Sequence, residues 1–140
     1  METDKEPIQK YDSKKFKRVD WHARRFTGIS FRGSAFLDSK IDYSGFDRCN
    51  FSYCSFHDTD LCGVSFGYSR LSSAKFFNCN LDGVEFHENT IEHSQIIGCS
   101  MKRVTFSDNH CKYLAVNSDY IRGMLNKESD ELHDLSLIHI

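Results

Sequence analysis

The sequence predicts an all-β fold, a square parallel β-helix of about five coils with four five-residue repeats in each. Three observations carry that expectation. Every fifth residue from Phe26 to Ile121 is bulky and apolar, with Cys111 the exception, in a chain whose hydrophobic share is only 39%. A period of five fits neither a helix nor a simple strand, so the chain must turn regularly and bring each fifth side chain inward. Every twentieth residue then gives Phe26, Phe46, Phe66, Phe86 and Phe106, whereas the series Ile41, Leu61, Leu81, Met101 and Ile121 holds no aromatic ring. Like residues sorted at a spacing of twenty imply four repeats per coil, stacked at about 4.8 Å, the spacing of neighbouring strands.

Residues 1–25 come first and read as an irregular or helical cap. They hold eight basic and five acidic residues. Phe16 and Trp21 keep the five-residue phase, but Lys14 and Arg24 occupy positions that should be small and inward, so no full coil is expected there. A cap is needed because a solenoid's terminal coil exposes its core and its unpaired strand edges. The basic run suits a solvated cap, since acidic residues interrupt it.

Residues 26–121 form the solenoid. Two residues before each centre lies a second inward position, mostly small, as in Ser34, Ser39, Ser44, Cys49, Cys54, Thr59, Ser69, Ala74 and Cys79. Asn89, Asn109, Leu114 and Asp119 fit that position poorly. Residues 122–140 end the chain. The run from Met124 to Leu135 suits a short amphipathic helix, with Leu125, Leu132 and Leu135 near one face. Leu137, Ile138 and Ile140 make an apolar terminus that either folds over the last coil or pairs with another subunit.

Units such as Cys49-Asn50-Phe51-Ser52-Tyr53, Ala74-Lys75-Phe76-Phe77-Asn78 and Cys79-Asn80-Leu81-Asp82-Gly83 resemble the pentapeptide-repeat family. The resemblance covers about 95 of the 140 residues. It implies a right-handed quadrilateral β-helix, and from several members it implies homodimerisation through C-terminal segments. The family also includes members that imitate duplex DNA, bind type II topoisomerases such as DNA gyrase and protect them from quinolones or peptide toxins.

The six cysteines do not suggest a disulfide framework. Cys49, Cys54, Cys79 and Cys99 share the small inward phase, where a free thiol packs as a small hydrophobe, so reduced thiols and a cytoplasmic location are expected. Cys62 stands at an outward phase. No apolar stretch is long enough to span a membrane, so no membrane insertion is expected. No nucleophile motif, phosphate loop or metal-ligand spacing is present, and neither an enzyme nor a cofactor is expected.

Function is therefore expected on the outward side chains, as docking of a protein partner. Stacked by twenty, they show an apolar stripe, Leu37, His57, Phe77 and Ile97, and an acidic corner, Asp38, Asp42, Asp58, Asp60 and Asp82. Exposed apolar patches usually mark an interface, although a terminal segment could also cover the stripe. Tyr43, Tyr53, Tyr68 and Tyr113 add outward aromatic rings, a residue type enriched at interfaces. The alternative is DNA mimicry toward a type II topoisomerase through the acidic corner. Duplex DNA carries one charge per about 1.7 Å, whereas residues 26–116 hold ten acidic against eight basic residues. The weak net charge favours the general protein-binding reading, and direct nucleic-acid contact is not expected.

Overall fold

The four inward ladders of the sequence become four flat faces, in a computed structural model that describes residues 9–117 and 135–138. The Phe26 face is a five-stranded parallel sheet of β3 (Arg25–Thr27), β6 (Gly45–Asp47), β8 (Ser65–Gly67), β10 (Glu85–His87) and β13 (Thr105–Ser107). The Phe16 face holds β2 (Lys15–Lys17), β5 (Ala35–Leu37), β7 (Ser55–His57), β9 (Lys75–Phe77), β12 (Gln95–Ile97), β15 (Leu114–Asn117) and β16 (Leu135–Ile138). The Tyr11 face carries β1 (Gln9–Lys10), β4 (Ile29–Ser30), β11 (Thr90–Glu92) and β14 (His110–Lys112), linked through the bridges Ser30–Asn50, Asn50–Arg70 and Arg70–Thr90. The Trp21 face is made of single bridges alone, from Asp20–Lys40 up to Asn80–Ser100. Within β1 to β15 every pairing joins residues twenty apart, as Phe46 with Phe66 and Phe56 with Phe76.

Sequence chemistry explains both inward positions. The centres Phe31, Phe36, Phe51, Phe56, Phe66 and Leu71 are fully buried. Their rings stack in register, with centroids 4.9 Å apart for Phe36–Phe56, 4.8 Å for Phe56–Phe76 and 5.4 Å for Phe66–Phe86. Such offset stacking adds to the gain from burial itself. The small position is buried too, and where polar it satisfies the backbone at the corner. Ser44 Oγ accepts the Arg24 amide at 3.0 Å and Ser69 Oγ accepts the Cys49 amide at 3.0 Å. Asn89, which looked too large, does the same with an amide group: its Oδ1 accepts the Ser69 amide and its Nδ2 donates to the Phe66 carbonyl, both at 2.9 Å. A buried polar group that closes its hydrogen bonds costs little.

Every fifth residue from Ser13 to Tyr113 has a positive φ, and most of them are not glycine. Gly63 shows why a side chain is sometimes excluded there, since a Cβ would lie 2.5 Å from the Tyr43 ring.

Two end regions differ from the expectation. Residues 9–25 are not an irregular or helical cap: they are a coil in register, with Phe16 stacked on Phe36 at 4.7 Å and Lys15 paired with Ala35. Lys14 and Arg24 are tolerated because, among the described residues, this coil has a neighbouring coil on one side only, and both side chains are exposed. Phe16, Val19, Trp21 and Phe26 pack half-buried against the core and close this end.

At the other end Leu135 lies in a strand and not in a helix. β16 runs parallel to β15, and its register is 21 residues, with Leu135 opposite Leu114 and Leu137 opposite Val116. An edge strand with unpaired backbone groups outweighs the helical spacing of the leucines. Leu125, Leu132, Ile140, Ile121 and the rest of the expected helix lie outside the described residues.

Candidate protein-binding faces

The Phe16 face positions the apolar stripe. In strands β5, β7, β9 and β12 the residue after each centre points away from the core, and the register places Leu37 opposite His57, His57 opposite Phe77 and Phe77 opposite Ile97. The four are half-buried against one another, and the His57 and Phe77 rings lie 5.3 Å apart. They form one continuous ridge. Beyond it the backbone pairing continues from β12 to β15 and from β15 to β16, where Asn117 lies opposite Ile138.

Asp38 and Asp58 directly follow Leu37 and His57 and stand exposed along the neighbouring edge. Stripe and acidic edge therefore form one surface, apolar on one side and anionic on the other. The remaining acidic positions are less available. Asp82 Oδ1 accepts the Lys102 amide at 2.9 Å and the Ser100 hydroxyl. Asp60 Oδ1 accepts the Cys62 amide at 3.0 Å. Asp42 corrects the expectation outright, because it is 6% exposed. Its Oδ2 lies 3.1 Å from His22 Nδ1, and its Oδ1 has no partner.

The tyrosines do not gather on one face. Tyr53 and Tyr113 lie on the edge between the Tyr11 and Phe16 faces, Tyr43 follows the Trp21 face, and Tyr68 follows the Phe26 face. All four are at least half exposed. Each has a positive φ and sits at a corner of the coil. The Arg32 guanidinium sits 4.6 Å from the Tyr53 ring centre and Arg48 4.9 Å from that of Tyr68, a cation–π arrangement.

All six cysteines are free thiols. Burial raises Cys49 from 9.0 to about 11 and does the same for Cys111, while Cys54 is raised further. Cys62 is half-buried, its Sγ 3.7 Å from the Tyr43 hydroxyl. Among the described residues, no group of three or more His, Cys, Asp or Glu side chains could hold a metal ion. No helix there is long and apolar enough to cross a membrane.

One feature was missed in the sequence. On the Phe26 face a shallow groove of about 310 Å³ runs over Gly45, Ser65 and Gly67, between Arg25 and Asp47 at one end and Glu85 and His87 at the other. The Arg25 side chain lies across Gly45, where a Cβ would meet its guanidinium at 2.6 Å. The available signal was that Gly45 and Gly67 fall off the corner phase that the other glycines of the solenoid occupy.

Among solved structures the fold is similar to Rfr23, a pentapeptide-repeat protein of the cyanobacterium Cyanothece 51142. Identity there is 10%, with 74% of this chain and 87% of that one covered and a TM-score of 0.39. A pentapeptide-repeat protein of the Arabidopsis thaliana thylakoid lumen is 19% identical over 75% of this chain and 76% of its own, at a TM-score of 0.38. A trypsin-treated variant of QnrB1, a plasmid-mediated fluoroquinolone resistance protein, is 17% identical over 99% of this chain and 86% of its own, at 0.37. No curated protein sequence matches the chain. The pentapeptide-repeat region model matches residues 40–116, the stretch in which four ladders, the twenty-residue register and the positive-φ corners are all continuous. With more than half of its length matched, the chain belongs to the pentapeptide-repeat family.

Proposed function

We propose that this protein is a non-catalytic binding module that docks a protein partner through the Phe16 face. The carrying observation is the ridge of Leu37, His57, Phe77 and Ile97, aligned at one residue per coil beside the exposed carboxylates of Asp38 and Asp58. A fixed apolar line with a charged border offers both burial and orientation to a partner. Six free thiols suit a reducing, cytoplasmic setting. The pairing of β16 with β15 supports a capping role for Leu135, Leu137 and Ile138 over a dimerising one.

The double change Phe77→Ser with Ile97→Asp tests the reading. It removes the ridge and leaves the inward ladder Phe36, Phe56, Phe76 and Ile96 intact. Stability should shift by less than about 0.5 kcal/mol, and association with the partner captured from native cells should weaken by at least about 2 kcal/mol. Unchanged association in a folded double variant would sink the docking role of this face.

The exposed carboxylates of Asp38 and Asp58, one coil apart, favour a second reading, a rod that imitates DNA toward a type II topoisomerase. The burial of Asp42 and the internal bonds of Asp60 and Asp82 thin that corner. A gyrase supercoiling assay separates the two: inhibition or protection that Asp38→Asn with Asp58→Asn abolishes supports mimicry, and no effect leaves the ridge.

A further inference from the structure

We propose that the first coil, residues 9–28, binds nucleic acid by its phosphate backbone. This coil carries seven basic residues against Asp12 and Asp20. The described coils are polarised along the rod: residues 9–28 hold seven basic and two acidic residues, a net of +5, and residues 29–117 hold eight basic and ten acidic, a net of −2.

The coil fold decides how those charges are displayed. Lys15 and Lys17 point outward from one strand, two residues and so about 6.6 Å apart, and Arg18 follows at the corner. Lys14 and Arg24 hold positions that are buried in every middle coil. Here no coil among the described residues lies beneath them, and both are exposed. The end of the solenoid thereby gains cations that its interior could not carry. Lys10 and Arg25 extend the ring to the Tyr11 and Phe26 faces, and both are exposed. The two acids do little to offset it. Asp12 accepts the Ser30 hydroxyl at 2.5 Å and the Arg32 amide at 3.1 Å, and Asp20, although exposed, lies on the Trp21 face and not on the three that carry Lys10, Lys15, Lys17 and Arg25. In the linear sequence the acids interrupt the basic run, but the fold engages Asp12 in hydrogen bonds and places Asp20 on the fourth face.

A polynucleotide fits this display better than an anionic membrane does. The cations occupy three successive faces, which a strand can follow around the corners, whereas a flat bilayer meets one face at a time. Surface-binding membrane segments also insert apolar side chains, and of the large apolar side chains of this coil only Tyr11 is exposed, at 37%, while Phe16, Trp21 and Phe26 pack half-buried against the core. Phosphate contacts ask only for Lys, Arg and backbone N–H groups.

Fluorescence anisotropy with the full chain and a labelled 20-nucleotide strand, single or duplex, tests the proposal. With about four phosphates neutralised, raising salt from 50 to 200 mM should weaken binding about 50- to 150-fold. Lys15→Glu with Lys17→Glu should weaken it at least tenfold at 50 mM salt and flatten the salt slope. Lys102→Glu with Arg103→Glu, at the far end of the rod, should leave binding within twofold. If the first pair fails to fold, Lys15→Gln with Lys17→Gln should still flatten the slope. No binding at 50 mM salt, equal losses from both pairs, or binding to phosphatidylserine vesicles without DNA binding would overturn the proposal.

Discussion

Phe66 shows how one residue comes to matter in this fold. Its ring is fully buried and stacked on Phe46 at 5.5 Å and Phe86 at 5.4 Å, with Phe51 edge-on at 5.4 Å. A middle coil is held from both sides and cannot collapse into a void without breaking the register of its neighbours. Phe66→Ala should therefore cost about 3–5 kcal/mol, as for other large buried rings. Arg70, four residues on, is exposed, and Arg70→Ala should cost under about 0.5 kcal/mol. Urea melts of the two variants check the pair, and equal shifts would contradict the inward phase. The same residue logic governs the half-buried ridge: Phe77 neighbours Phe76 in sequence, yet one forms the core and the other a surface.

At the scale of one coil, three homologous corners on two faces compare the same arrangement with different residues. Asp12 Oδ1 accepts the Ser30 hydroxyl, and Asp82 Oδ1 accepts the Ser100 hydroxyl, each eighteen residues later. For Asp42 the residue eighteen later is Asp60, which offers no hydroxyl and takes the Cys62 amide for itself. Asp42 Oδ1 is left buried without a donor. An unmet buried acceptor costs about 1–3 kcal/mol. Asp60→Ser restores the donor and keeps an oxygen near the Cys62 amide, as Ser30 Oγ lies 3.4 Å from the Arg32 amide. The variant should be more stable by about 1 kcal/mol, read as a higher urea midpoint at constant slope. A lower midpoint would mean that the Asp60–Cys62 bond matters more than the orphaned oxygen. Much of this was illegible in the sequence, because a rule of two inward positions in five does not say that Asp42 folds in beside His22.

Over the whole rod, the periods of five and twenty were enough to place the four ladders, since each depends only on neighbours twenty residues away. The ends were not legible for the same reason. Lys14 and Arg24 break the inward rule only where a coil exists beneath them, and β16 joins the sheet with an offset of 21 that no repeat announces. The ladders nevertheless make a prediction for the entire molecule. The buried thiols of Cys49 and Cys111 are both pushed by burial from 9.0 to about 11, and Cys54 is raised in the same direction. In the unfolded chain they ionise near 9, so between pH 9 and 11 the folded state holds more protons than the unfolded one. Stability therefore falls as pH rises through that window, and it is fully present below pH 9. Thermal melts at pH 8, 9.5 and 10.5 should show a falling midpoint, and Cys49→Ser with Cys111→Ser should flatten the fall although it lowers the midpoint at pH 8. Tyrosine and lysine ionisation act on both proteins alike, so the difference between the two slopes isolates the thiols. Parallel slopes would show that these sulfurs reach water in the native coil, and that the inward ladder is open where the structure closes it.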